Sequence, residues 1–267
     1  MIESVSCHDE VEKHQIKQLS SYHHIRRSQI LASVVKMIAP VNRYLDIGCG
    51  DGVYLEGNYK GCNAKSAVGL DISLTRLKRA SKMNPDFEFV LGNAYSLPFK
   101  SESFDFVNSS QLIEHLNKPI QFLQQIARIL EAGGWLALDT PSKTNFLDAL
   151  MRLVGHDSDW SLNLDATHRV FYRMEELVEL LSKSGFTVAK IRGVSACRYD
   201  IVAGIFTRYR QLWPVLQVFD TLFSRLPVFS MFGAIQVFLS RYLPSMHTAA
   251  DRRQMRKQPS EKSMSKA

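Results

Sequence analysis

Two spacings of apolar residues alternate along this chain. Short apolar runs at 43–47, 66–70, 87–91, 104–108 and 134–139 read as strands, and between them residues 73–83 and 119–130 repeat at helical spacing. Pro119 stands at a first-turn position of the second helix, and Gly133-Gly134 is expected to close it. Residues 173–184 return to helical spacing through Met174, Leu177, Val178, Leu180 and Leu181. Gly185 ends that run, and 186–191 alternate as a further strand. Ahead of the first strand, 11–39 reads as helix, with Ile25, Ile30, Leu31, Val34, Val35 and Ile38 on one side and Pro40 as its stop. Near the end, Ile235, Val237 and Leu239 alternate with Gln236, Phe238 and Ser240, a candidate last strand. Strand-helix alternation of this kind predicts an α/β fold with a parallel sheet, right-handed crossovers and a ligand beyond the strand C-termini.

The junction after the first strand carries the chemistry. It reads Tyr44-Leu45-Asp46-Ile47-Gly48-Cys49-Gly50-Asp51-Gly52, and Val68-Gly69-Leu70-Asp71 follows about 20 residues on. Closely spaced glycines let backbone approach a ligand, and a carboxylate after the next strand can hold both ribose hydroxyls. A dinucleotide G-x-G-x-x-G beginning at Gly48 needs glycine at 53, which is Val53. Asp46 adds a carboxylate near the loop, which suits an ammonium better than a pyrophosphate. The pattern points to S-adenosylmethionine rather than NAD.

An ordered series extends that pattern: Gly92-Asn93-Ala94 with Leu97-Pro98-Phe99, Phe104-Asp105-Phe106-Val107, Glu114-His115-Leu116, and Ala132-Gly133-Gly134-Trp135-Leu136. With Asp46-Ile47-Gly48-Cys49-Gly50-Asp51-Gly52 and Asp71, it resembles the class I S-adenosylmethionine-dependent methyltransferases, in the small-molecule branch that includes ubiquinone and menaquinone biosynthesis enzymes. The resemblance covers about residues 40–192. It implies a Rossmann-like, mostly parallel seven-stranded sheet with helices on both faces and an antiparallel last strand. It also implies cofactor contacts from Asp46, Gly48, Gly50, Gly52, Asp71, Ile72 (against adenine), Asn93 and Ala94 (at its exocyclic amine), and Ser109 after the fourth strand. Many relatives carry aspartate where this chain has Asn93.

For the acceptor, a hydroxyl must lose its proton, and His115 and His168 are the candidate catalytic bases, because a histidine can be neutral near pH 7. The alternative roles are a helix-orienting His115 and a loop-packing His168. Some class I methyltransferases hold a divalent ion on Glu-x-x-Glu-His plus a later histidine. Here Gln111 replaces the first carboxylate before Glu114 and His115, and hard cations prefer carboxylate oxygens, so no metal is expected. Nor do Cys7, Cys49, Cys62 and Cys197 show metal or disulfide spacing. Asn108-Ser109-Ser110-Gln111 stands where an amino-methylating nucleic-acid enzyme has Asn/Asp-Pro-Pro-aromatic, so no nucleic-acid partner is expected despite a pI near 9.2. The expectation is methyl transfer to a small or lipid-linked acceptor at a hydroxyl oxygen. Carbon methylation of a quinone-like acceptor and a non-catalytic cofactor-binding relative are the alternatives.

Composition adds detail at the ends. Hydrophobic content of 45% and charged content of 22% are those of a globular protein, and no apolar h-region follows a basic start, so a cytosolic location is expected. The expected organisation is an N-terminal helical segment 1–40, a cofactor-binding domain 41–198, an amphipathic helical insertion 199–230, the last strand within 231–246, and a disordered basic tail 247–267. Residues 140–167 are expected to cap the substrate. The insertion carries Arg208, Arg210, Asp220, Arg225, Pro214 and Pro227 among its apolar residues, too many interruptions for a bilayer span. Peripheral membrane helices, a lid over a lipophilic acceptor, and added core remain its three readings. From Asp251 the tail has six basic and two acidic residues, +4 of the overall +7; such a charge suits anionic lipid or nucleic acid, and a solvated tail with no specific partner is the commoner reading.

Overall fold

A computed structural model of the chain describes residues 22–143, 167–194, 218 and 235–244. The capping segment, the 199–230 insertion apart from Val218, the first half of the predicted N-terminal helix and the basic tail lie outside the described residues. No helix among the described residues is long and apolar enough to cross a membrane.

Seven strands form one sheet: β1 (Arg43–Ile47), β2 (Ser66–Asp71), β3 (Glu88–Leu91), β4 (Phe104–Ser110), β5 (Leu130–Pro141), β6 (Phe186–Val194) and β7 (Ile235–Tyr242). Their spatial order is β3-β2-β1-β4-β5-β7-β6, with β7 antiparallel to both neighbours and the other pairings parallel. This is the sheet the sequence predicts, including the antiparallel last strand. The order turns back at β1, so β1 and β4 flank the crevice where their C-terminal ends diverge.

Side-chain parity along the strands separates two cores. Tyr44, Phe106, Ala137, Val237 and Leu239 face α1 (Tyr22–Val35) and α2 (Leu55–Gly61); Leu45, Ile47, Val107, Leu136, Leu138 and Phe238 face α4 (Pro119–Ile129) and α5 (Met174–Lys183). α3 (Leu74–Met83) buries Leu77 and Ala80 beside β2 and β3. In α1 the predicted stripe holds: Leu31, Val34 and Val35 are at most 1% exposed, each such burial worth about 1.5–3 kcal/mol. Two local readings change. α2 had no counterpart in the sequence pattern, and Gly133-Gly134 does not cap α4. That helix ends at Ile129, and β5 starts at once because Leu130 pairs with Phe104; the register then slips so that Phe106 meets Trp135. Gly133, at φ 82°, lies within that slip.

Candidate active site

The loop from Gly48 to Gly52 leaves β1 at the centre of the sheet. Four of its five N–H groups have internal partners: Gly48 and Cys49 both donate to the Leu70 carbonyl (2.7 and 3.0 Å), Gly52 donates to Cys49 O (2.9 Å), and Gly50 donates to Asp71 Oδ2 (2.9 Å). A loop that cradles phosphate keeps such donors pointed at the ligand, so this one is built for a ligand without a phosphate. At Gly48, φ is 75° and a Cβ would meet Leu112 Cδ2 at 3.1 Å. Asp71, at the end of β2, accepts a second N–H from Ser73 at Oδ1 (2.9 Å). A carboxylate accepts about four hydrogen bonds, so capacity remains on both oxygens for a diol.

On the α1 side of the crevice lie two buried carboxyls. Asp46 and Asn108 are register partners on β1 and β4, and Asn108 Nδ2 donates to Asp46 Oδ1 at 2.8 Å. Asp139 is held by the Ser110 hydroxyl, by Gln111 Nε2 at 2.8 Å, and by Arg27 of α1 at 3.9 Å. Burial raises the Asp46 carboxyl to about 7, the Asn108 bond opposes this, and nearby Asp139 adds to it. Asp46 is thus poised between neutral and ionised near physiological pH, and a cation would draw it to the charged form. Arg27 also lies 4.4 Å over the Tyr54 ring.

The other side of the crevice holds Glu114, His115 and His168, whose ligand atoms lie within 4.8 Å of one another. Glu114 and His115 share a 3-10 turn (Ile113–His115), and His168 arrives from the segment before α5, held by Arg169 and Val170 N–H groups donating to Glu114 O (2.8 and 3.1 Å). The two imidazole centroids are 4.8 Å apart. His115 Nδ1 is 3.1 Å from the Thr167 carbonyl. The Thr167 hydroxyl lies 3.2 Å from the same Nδ1; in the tautomer that donates Nδ1–H to the carbonyl, Nε2 keeps the basic lone pair. Glu114 is fully buried, with Oε2 accepting from Thr140 (3.0 Å) and Oε1 unpartnered. Burial pushes its carboxyl up to about 8.

The remaining predicted contacts sit around the same crevice. Ile72 is 71% exposed just beyond Asp71, with Leu91, also exposed, on the adjacent strand end: an apolar rim. Asn93 is exposed and its Oδ1 accepts from Tyr95 N–H (2.9 Å), so the side chain also shapes its own turn. Ala94 is half-buried against the core. Ser109 is buried on β4 and its hydroxyl lacks a partner, as does Asn108 Oδ1. Buried polar groups are normally paired. Ser109 Oγ, Asn108 Oδ1 and Glu114 Oε1 all lack a hydrogen-bond partner around the crevice. With the glycine cradle, the diol-capable Asp71, the apolar rim and an ionisable Asp46, these residues fit S-adenosylmethionine. Sequence reasoning did not single out Asn108, Asp139, Thr140, Thr167 or Arg27 as site residues, since only the fold brings them here.

Residues 45–138 match the family described as a methyltransferase domain. Among curated proteins, the chain is 33% identical over 120 residues to a demethylmenaquinone methyltransferase of Renibacterium salmoninarum, covering 42% of this chain and 50% of that one. It is 30% identical over 115 residues to an uncharacterized methyltransferase of Schizosaccharomyces pombe (39% and 41% covered). It is 25% identical over 194 residues to a ubiquinone biosynthesis O-methyltransferase of Aliivibrio fischeri (70% and 79%). The chain spans about half the length of the first two of these relatives. Among solved structures, a putative methyltransferase from Bacillus halodurans superposes with a TM-score of 0.58 at 18% identity, covering 80% of this chain and 98% of that one. A cyclase, SpnF, superposes at 0.57 with 20% identity (82% and 80%), so the fold alone does not dictate the reaction. Matched motifs, sheet order and cradle together place residues 45–138 in the methyltransferase-domain family, on the class I S-adenosylmethionine-dependent methyltransferase fold.

Proposed function

We propose that this chain is an S-adenosylmethionine-dependent methyltransferase that moves a methyl group to a hydroxyl oxygen of a small or lipid-linked acceptor. One observation carries the reading: His115 converges with His168 and Glu114 to within 4.8 Å beside the cofactor crevice, with Nδ1 3.1 Å from the Thr167 carbonyl, which favours a basic Nε2. The bound cofactor supplies an electrophilic methyl on a sulfonium and departs as a neutral thioether, so the chain has no leaving anion to stabilise. Asp46 holds the methionine ammonium, Asp71 the ribose, and Ile72 packs on adenine. His115 Nε2 takes the hydroxyl proton; His168, packed on the ring, and Thr167 keep that nitrogen aimed. Positioning and exclusion of water do most of the work in such a displacement.

The test is calorimetric titration of the full chain with S-adenosylmethionine and its demethylated product, with NAD as control, followed by catechol and lipid-linked phenol acceptors and a labelled methyl donor. Micromolar binding of the first pair and label transferred to oxygen support the reading; no binding of either nucleoside overturns it. We place the protein in the cytosol, with the 199–230 insertion and basic tail touching the membrane that would hold a lipid-linked acceptor. A full-length chain that never floats with anionic liposomes removes that contact.

The three converging donors favour a second reading. A carboxylate oxygen that is buried and unpartnered, plus an imidazole whose far N–H is tied to a backbone carbonyl, is an arrangement common in metal sites. Glu114, His115 and His168 would hold a borderline transition ion better than magnesium, since Gln111 is turned to Asp139. Such an ion would lower the proton affinity of a bound acceptor oxygen. Metal content of the purified chain, and activity after chelation, separate the readings: activity unchanged after complete metal removal leaves the histidine base.

A further inference from the structure

Three successive residues of the glycine loop are gripped from behind by α3. At Gly50, the Arg76 guanidinium fills the place of a Cβ, with Nη2 2.4 Å from where that atom would be. At Asp51, Oδ1 accepts from Arg79 Nε at 2.8 Å, and Oδ2 lies 4.0 Å from Arg76 Nε. At Gly52, the carbonyl accepts from Asn84 Nδ2 at 3.4 Å, and Asn84, the buried C-cap of α3, also donates to Ala80 O at 3.3 Å. The helix is in turn keyed to Asp71. Ser73 accepts the Arg76 N–H as its N-cap, and the Ser73 N–H donates to Asp71 Oδ1. The loop and the Asp71 carboxylate are therefore tied to the same helix as well as to each other.

We propose that the Arg79–Asp51 ion pair, backed by Asn84, is a positioning device for S-adenosylmethionine, holding the loop in its binding shape without touching the ligand. This rests on the reading that the Gly48–Gly52 loop holds that cofactor. Asp51 is 13% exposed and Arg79 32% exposed at the side chain, so the pair is partly screened and adds little to global stability. A glycine-rich loop has many other conformations open to it. When only a fraction of molecules holds the competent loop, the apparent dissociation constant rises by the inverse of that fraction. Loss of the clamp is therefore read in cofactor affinity rather than in unfolding.

Arg79→Ala, Arg79→Lys and Asp51→Asn in the full chain, titrated with S-adenosylmethionine at low and high salt, test this. Arg79→Ala is expected to weaken binding about fivefold with a melting temperature close to wild type, and Arg79→Lys to recover most of the loss. Raising salt should weaken the wild type toward the Arg79→Ala value while leaving Arg79→Ala nearly flat. Wild-type affinity in Arg79→Ala, or a lowered melting temperature with unchanged affinity, overturns the proposal. Wild-type protein that binds no cofactor, or an Asp71→Ala variant that binds normally, overturns the cofactor site instead.

Discussion

Replacing Asp46 by Asn should push stability and cofactor binding in opposite directions, by amounts set by pH. Asp46 is 2% exposed, and burial raises its carboxyl from 3.8 to about 7. A folded-state pKa above the unfolded value means that the folded form binds the proton more tightly. The stabilisation is therefore complete below about pH 4 and is lost as pH rises to about 7. Three pH units at 1.36 kcal/mol each give a cost of about 4 kcal/mol for the ionised group above pH 7, of which about 2–3 kcal/mol accrues between pH 5 and 7. Asparagine keeps an oxygen to accept the Asn108 N–H that is now at 2.8 Å, and it never ionises. Asp46→Asn should thus melt higher than wild type at pH 8, with the gap narrowing by some 2–4 °C per kcal/mol as pH is lowered to 5. Its affinity for S-adenosylmethionine should fall. In the wild type that affinity should rise through pH 7 as the carboxylate forms, then fall as the ligand's amino group deprotonates near pH 8. Paired thermal melts and titrations from pH 5 to 9 measure both. A melting gap independent of pH, or a variant that binds as well as wild type, would refute the argument.

Other substitutions separate the parts of the site. Asp71→Ala removes the acceptor for the Gly50 and Ser73 N–H groups as well as the diol contact; calorimetry should show loss of cofactor binding of about a hundredfold or more, two charged hydrogen bonds being worth some 3 kcal/mol. Gly50→Ala places a methyl 2.4 Å from Arg76 Nη2 at φ 54°; denaturant melts should show a loss of about 1–2 kcal/mol from the backbone strain alone, with weakened cofactor binding. His115→Ala should cut methyl transfer about 10²–10⁴-fold under saturating cofactor while leaving cofactor affinity within about twofold; a rate near wild type would remove it as the base. Glu114→Gln keeps the shape, preserves an oxygen for Thr140 and abolishes ionisation of a carboxyl that burial raises to about 8. It should raise the melting temperature at pH 9 relative to wild type and leave it unchanged at pH 4, where the wild-type group is protonated.

The first five strands were legible because a parallel sheet covered on both faces demands near-continuous apolar runs, and β6 and β7, which pair antiparallel, were legible from alternation. The two misreadings have local causes. α2 has seven residues, with glycine at 57 and 61 and only Leu55 and Asn58 buried, so it has too little apolar periodicity to register. Gly133-Gly134 carries the same local signal whether it caps a helix or relaxes a strand; pairing of Leu130 with Phe104 decided for the strand. At the candidate site, the residues that the sequence proposes from their place just after a strand, the glycines, Asp71, Asn93 and Glu114-His115, lie around one crevice. Their chemical states come from partners that spacing does not announce. Asn108 reaches Asp46 across 62 positions, and Thr167 reaches His115 across 52. Without the first, Asp46 would lose the bond that opposes the effect of burial on its carboxyl; without the second, His115 would be free to carry its proton on either nitrogen. Residue identity therefore names the candidate groups, while the sheet order that brings β4 beside β1 sets the environment that raises the Asp46 carboxyl, and residue 167 beside the turn after β4 supplies the partner of His115 Nδ1.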